Sequence, residues 1–304
     1  MRKAILISMI MMLSTGAVYA SGGGASQKPL DGIYPIVLSH GLLGFGQDSQ
    51  GIMGLIDYWG GMDDMLRENG AAVYAPAKSP GQSNMVRAQD LKTKVQYWMA
   101  ANGYSKVHYL GHSQGPLDVR YMVANLGMAS KTASVTSLNG VNKGTGLADG
   151  LAPLFPDGGV LSGLVEFFVN LVYVVDNSDT QAVIDSLSTD GMTAFNQMTP
   201  NASGVRYYSY GSVIDGPNLV QHPIGSVLWA FTGENSASIH GYANDGFVPL
   251  TSMQWGEWKG GPNVPWYSNG VDHLQCSNTL WSGQLWFDVE DYFLSMAKNM
   301  RAGQ

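Results

Sequence analysis

Short apolar runs rich in β-branched residues alternate along most of the chain with longer stretches of helical spacing. Residues 33–38, 72–74, 106–110 and 134–138 read as strands; residues 58–69, 89–102, 117–126 and 285–300 carry apolar positions at helical intervals. Strands separated by helices of this length predict an α/β domain, with a mostly parallel central sheet covered by helices on both faces. In such sheets a ligand sits at the carboxyl ends of the strands. No internal repeat interrupts the alternation, and no linker or charge run marks a boundary beyond residue 27. Residues 28–304 therefore read as one domain.

The first residues break the pattern. Arg2 and Lys3 precede an apolar stretch up to Tyr19, and Val18 and Ala20 place small residues at −3 and −1 before Ser21. This predicts a signal peptide over residues 1–20, a flexible leader over 21–27, and a secreted product, periplasmic or extracellular. The competing reading, a membrane anchor, needs about 20 predominantly apolar residues, and Ser8, Ser14, Thr15 and Gly16 break this stretch. Cleavage removes two positive charges and no negative ones, taking the net charge from −7 to −9. That sign argues against a nucleic-acid partner. With Cys276 as the only cysteine, export would permit a disulfide but the chain cannot form one internally.

One strand end carries chemistry. Gly111-His112-Ser113-Gln114-Gly115 is a G-x-S-x-G pattern that follows a strand, and Pro116 fits the first turn of a helix. A nucleophilic serine sits there on a sharp turn, and glycine on either side removes side chains that would collide with the neighbouring backbone. A turn serine without chemistry is the plain alternative. Attack on a carbonyl also needs donors for the oxyanion. The Gln114 N–H after the nucleophile is one, and Leu42, in the glycine-rich stretch after the first strand, is the candidate for the second.

The base would be a histidine late in the chain, oriented by a carboxylate lying between it and the serine. His40, His108 and His112 come too early, which leaves His222, His240 and His273. Asp245, read as an acidic residue at a strand end in Asn244-Asp245-Gly246, precedes His273, and His240 would need a carboxylate from far upstream. Asp272 adjoins His273, but sequence neighbours point apart. The preferred set is Ser113, Asp245 and His273.

The chain resembles the secreted bacterial triacylglycerol lipases of Pseudomonas, Burkholderia and Proteus. Tyr34-Pro35-Ile36-Val37-Leu38, His40-Gly41-Leu42-Leu43-Gly44-Phe45, Tyr58-Trp59, the stretch around Ser113, Gly204-Val205-Arg206-Tyr207-Tyr208-Ser209, Asn244-Asp245-Gly246-Phe247-Val248 and Asp272-His273-Leu274 carry the likeness in order. The resemblance implies an α/β-hydrolase fold, hydrolysis of water-insoluble acylglycerol esters at an oil–water interface, and the same roles for Ser113, Asp245, His273, Leu42 and Gln114. A polyester hydrolase or short-chain esterase would use the same residues; a non-catalytic lipid-binding relative would not need all of them. Relatives often depend on a dedicated membrane-bound folding chaperone, a partner that these residues neither require nor exclude.

The chain departs from this family in three places. The family's structural calcium uses an aspartate two residues after the histidine, where Gln275 stands, and another about twenty residues before Asp245, where residues 221–225 contain none. Loss of both carboxylates predicts no cofactor and no metal. The family disulfide is missing. Asn139-Gly140-Val141-Asn142 replaces the usual G-T-P-H, with no sequence rationale. An insert at about 146–190 contains the apolar run 159–175, read as a lid helix over the site or as a buried core helix. Five tryptophans, at 255, 258, 266, 281 and 286, are read either as acyl-pocket lining or as core.

Overall fold

A computed structural model describes residues 27–42, 57–79, 81–154 and 179–304. The expected signal peptide and the apolar run 159–175 lie outside the described residues. Among the described residues no helix is long and apolar enough to cross a membrane.

The elements run β1 (Ile36–Ser39), α1 (Met62–Glu68), β2 (Val73–Tyr74), α2 (Asn84–Asn102), β3 (Val107–His112), α3 (Gly115–Asn125), β4 (Thr132–Leu138), α4 (Gly146–Leu151), α5 (Thr180–Leu187), α6 (Thr189–Met198), β5 (Arg206–Tyr210), α7 (Gly225–Ser236), α8 (Leu250–Met253), β6 (Glu257–Trp258) and α9 (Val289–Ala302). The six strands form one sheet in the order β2-β1-β3-β4-β5-β6, and every neighbouring pair is parallel. This is the layered α/β architecture that the alternation predicts.

Side chains alternate across the pleat and divide the core in two. Ile36 and Leu38 of β1, with Leu110, Leu138, Tyr208 and Tyr210, pack against Met62 and Leu66 of α1 and Phe293, Met296 and Met300 of α9. Val37, Tyr109, Val135 and Tyr207 face the other way, onto Leu91, Val95 and Met99 of α2 and Val119 and Met122 of α3. The central strands are therefore buried on both faces, as parallel strands are.

Several boundaries shift for local reasons. The first helix starts at Met62 rather than 58, because Gly60 and Gly61 have φ of 50° and 80°. α2 begins five residues before the apolar pattern, at a Ser83 cap whose side chain accepts the Val86 N–H. α9 begins at Val289, capped by Asp288. One expectation is overturned: Asp245 does not end a strand. Asn244 makes only an isolated antiparallel bridge with Pro249, and the backbone donors beyond it turn onto the Asp245 side chain instead of a ladder. The core reading of the five tryptophans holds only for Trp255, which is half-buried and packs against the core beneath α2 and α3; Trp286 is half-buried, and Trp258, Trp266 and Trp281 are exposed, Trp266 by 95%.

Around the insert, Leu147, Ala148 and Leu151 of α4 and Ile184 of α5 pack onto Leu228 of α7. The insert is thus anchored to the domain at both of its described ends.

Candidate active site

β3 delivers its last residue, His112, to a turn from which α3 departs at Gly115. Ser113 occupies that turn at φ 61°, in the left-handed region that a side chain seldom adopts. The Ser113 N–H donates to Leu138 O at 3.1 Å, and its carbonyl accepts from Val141 N at 3.2 Å. The flanking glycines are required by close approach. A Cβ on Gly111 would clash with Pro116 N, and one on Gly115 with the Ser39 carbonyl.

His273 Nε2 stands 2.9 Å from Ser113 Oγ, and His273 Nδ1 stands 2.6 Å from Asp245 Oδ2. A carboxylate only accepts, so Nδ1 carries the proton and Nε2 is left to accept from the serine hydroxyl. The imidazole is held between the Phe247 ring, stacked at 4.8 Å and 21°, and the His112 ring at 4.6 Å. The His273 N–H also donates to Asp245 O at 3.1 Å. Asp245 is fully buried. Its Oδ1 accepts the N–H groups of Phe247 and Val248, and its Oδ2 accepts Asn139 Nδ2 at 2.7 Å beside the histidine. The remaining candidates lie elsewhere. His240 Nε2 meets Thr189 Oγ1, His222 Nδ1 meets Gln275 Oε1, and Asp272 Oδ1 accepts the N–H groups of Leu274 and Gln275.

The 40–42 loop passes directly over the serine: a Cβ on Gly41 would stand 3.1 Å from Ser113 Oγ. The Gly41 N–H donates to Tyr58 Oη at 2.9 Å, and Tyr58 in turn donates to His112 Nδ1 at 2.5 Å. Behind the loop, Arg87 donates to the carbonyls of His40 and Gly41 at 2.8 and 3.0 Å, and Lys78 Nζ donates to His40 O at 2.6 Å. In a trans peptide the C=O and N–H point in opposite directions, so holding Gly41 O on the guanidinium turns the Leu42 N–H away from it. Gln114 caps α3, which places its N–H at the positive end of that helix, and its side-chain amide is tied to Gln82 O and Asn84 Oδ1.

Asp118 Oδ2 bridges Lys78 Nζ at 2.5 Å and Arg87 Nε at 2.9 Å, and the side chains of all three are fully buried. Burial, and then the charge of Arg87, lower Lys78 to about 7 despite its carboxylate partner. Burial foremost, with the neighbouring cations Lys78 and Arg87, holds His40 well below its ordinary value; burial and then His273 do the same to His112.

Tyr58, Lys78, Arg87, Asp118 and Asn139 are the supporting residues that sequence reasoning missed. Asn139 left a signal as an unexplained departure, and Tyr58 as part of a shared segment. The three buried ions left none, since single charges in helices and loops read as solvated.

No family model matches the chain. Among curated proteins, a triacylglycerol lipase of Vibrio cholerae is 30% identical over 278 residues, covering 83% of this chain and 85% of the relative. The chain belongs to the triacylglycerol lipase family. A second triacylglycerol lipase, from Pseudomonas fragi, is 30% identical and covers 82% of this chain and 89% of its own. Of solved structures, the Staphylococcus hyicus lipase superposes with a TM-score of 0.62 at 16% identity, covering 93% of this chain and 98% of that one. Lipase 1 from Pelosinus fermentans gives 0.60 at 20% identity, with 88% and 98% covered. These neighbours share the α/β-hydrolase fold, and the family makes the chain a serine ester hydrolase.

The structural calcium that the resemblance implies does not fit the residues present. Gln275 Nε2 donates to Gln221 O at 2.6 Å, while its Oε1 accepts from His222 Nδ1 and from Asp272 N. Gln221 donates to Ser268 Oγ and Gly270 O and accepts from Asn269 N. These amides are buried and bonded to one another and to the turn, whereas calcium takes six to eight oxygen ligands, carboxylates among them. Among the described residues no group of three or more His, Cys, Asp or Glu is placed to hold a metal. Cys276 is buried and unpaired.

Proposed function

We propose that this chain is a secreted lipase that hydrolyses water-insoluble acylglycerol esters through Ser113, His273 and Asp245. The observation that carries the reading is the unbroken hydrogen-bonded relay from the Ser113 hydroxyl through the imidazole to the buried carboxylate, at 2.9 and 2.6 Å. His273 Nε2 takes the Ser113 proton as Oγ attacks the ester carbonyl, and Asp245 orients the imidazole and stabilises the imidazolium. The N–H groups of Leu42 and Gln114 hold the oxyanion as the tetrahedral intermediate forms. His273 then protonates the departing alcohol, and water repeats the sequence on the acyl-enzyme. The acylglycerol substrate follows from the triacylglycerol lipase relatives, and secretion from the signal-like residues 1–20.

One experiment addresses activity and substrate together. Ser113→Ala is expected to lower ester hydrolysis by about four orders of magnitude or more while leaving the circular dichroism spectrum unchanged. A chain-length series on emulsified and dissolved esters is expected to favour emulsified long-chain glycerides. A preference for dissolved short-chain esters would make the enzyme an esterase, and full turnover by Ser113→Ala would remove the serine from its role.

A further inference from the structure

We infer that Asn139 is a positioning residue for the Asp245–His273 pair, fixing the carboxylate oxygen that the imidazole must reach. The inference rests on the proposed relay and extends it by one residue. Oδ2 of Asp245 takes two donors, His273 Nδ1 at 2.6 Å and Asn139 Nδ2 at 2.7 Å. Because that oxygen only accepts, the amide must present its NH2 group, which settles the orientation of the side chain. The second amide hydrogen goes to Ser212 Oγ at 2.8 Å, and the Asn139 backbone N–H goes to Tyr210 O at 3.0 Å. Asn139 thereby joins the ends of β4 and β5 to the carboxylate, and it is completely buried.

Its backbone explains the choice of residue. Asn139 has φ 45°, in the left-handed region where glycine is at ease and asparagine is among the few other residues tolerated. The family's G-T-P-H stretch begins with glycine at this place. Asparagine meets the same backbone demand and adds a donor. Because Asp245 does not sit at the end of a strand, this amide and the two backbone N–H groups on Oδ1 do the orienting that a ladder would otherwise supply. A small rotation of the carboxylate would carry Oδ2 off the Nδ1–H axis and tilt the imidazole away from Ser113.

Two variants separate positioning from packing. Asn139→Gly keeps the backbone conformation and deletes the donor; Asn139→Asp keeps the shape and replaces the donor with a second carboxylate. With a soluble nitrophenyl ester, both are expected to lower kcat by about 10- to 100-fold with KM changed by less than about threefold. Asn139→Asp is also expected to move the acid limb of kcat/KM to higher pH, since an added negative charge favours the protonated, inactive imidazole. The other titratable groups about the pair are His112, whose ring lies tilted against the imidazole, Asp272 beside it in the chain, and buried Cys276 with Tyr58 beyond. Neither variant alters them. A group that only fills space would lower the melting temperature and leave the pH limb where it was.

Each protein is also treated with an organophosphonate, and the low-field Nδ1 proton of the adduct is followed by NMR. Wild type is expected to label, and the resonance to shift in both variants. A wild type that neither labels nor hydrolyses esters overturns the relay itself. An active, labelled wild type whose two variants keep its kcat, pH limb and Nδ1 resonance overturns the role of Asn139 alone. If Asn139→Asp does not fold, Asn139→Gly decides by kcat and resonance.

Discussion

On the 40–42 side of Ser113 the backbone is held by ions. Lys78 and Arg87 grip the carbonyls of His40 and Gly41, and Asp118 neutralises part of their charge, with all three side chains out of water. On the His273 side the corresponding turn is held by amides and one carboxylate, with no Lys or Arg among these partners: Gln275 and Gln221 tie it to the residues before α7, Asp272 accepts the N–H groups of Leu274 and Gln275, and Asn139 holds Asp245. The difference follows from what each side must orient. The 40–42 loop, proposed to aim the Leu42 N–H at an oxyanion, presents carbonyls on its rear surface, and a charged donor is the strongest one for them. The histidine turn must instead hold a carboxylate and an imidazole in register. A fixed cation beside that pair would disfavour the imidazolium, whereas an amide orients without adding net charge. The two braces should therefore fail differently.

The largest difference is expected from breaking the ionic side. Asp118→Asn takes the buried carboxylate from Arg87 and favours the neutral form of Lys78, which burial already lowers to about 7, and removing one partner of such a cluster costs about 3–5 kcal/mol. The measurement is chemical denaturation at neutral pH, with ester turnover followed alongside. Turnover should fall before global unfolding, as the Gly41 carbonyl is released and the Leu42 N–H loses its direction. Full stability in Asp118→Asn would show that the cluster is solvated, and the contrast would disappear.

Acid is the next way to separate the two sides. His40, beside the charged brace, is held neutral by burial, as are His112 against the His273 ring and His108 in β3, which burial lowers from 6.5 to about 4. Below pH 6.5 the unfolded chain binds protons that the folded chain refuses, so stability falls as pH drops from about 6.5 to about 4. His108 alone accounts for about 2 kcal/mol by pH 5. The amides of Gln221 and Gln275 have no proton to gain. Hydrogen exchange at pH 7 and pH 5 is expected to show amides at 40–42 losing protection before those at 273–276. The opposite order would mean that the histidine turn is the weaker side.

How much of this was legible depends on how local each feature is. The turn at Ser113 announces itself because its strain is relieved by glycines within two residues, and β3 and α3 flank it where the apolar pattern places them. The meeting of Asp245 and His273 with Ser113 was legible through chain order, a property of the fold rather than of any short window. The ionic brace was not. Lys78, Arg87 and Asp118 come from a loop and two helices, and the early part of α2 carries exposed Met85 and Val86 that blur its apolar face, so the expected helix began after Arg87. Asn139 showed only as a departure from a pattern, because its partner Asp245 lies 106 residues away. Asp245 was expected at a strand end, but the N–H groups of Phe247 and Val248 that follow it serve its carboxylate and not a ladder.

The smallest effects are expected on the amide side, and they bear on calcium. Gln275→Leu keeps most of the volume but deprives His222, the Asp272 N–H and the Gln221 carbonyl of their partner, at about 1–3 kcal/mol. Because the wild-type turn is closed by amides, EDTA should leave its melting temperature unchanged. Gln275→Asp restores the carboxylate that the family places there, but the side chain is one methylene shorter and residues 221–225 still contain no acid. A single added carboxylate falls short of the charged oxygen set that calcium needs. Millimolar calcium is therefore expected to add no stability to Gln275→Asp. If calcium raised its melting temperature by several degrees, the carbonyls of residues 268–272 together with Asp272 would already form most of a cation site. The amide brace would then be a recent filling of that site, and the contrast between the two sides of Ser113 would be one substitution deep.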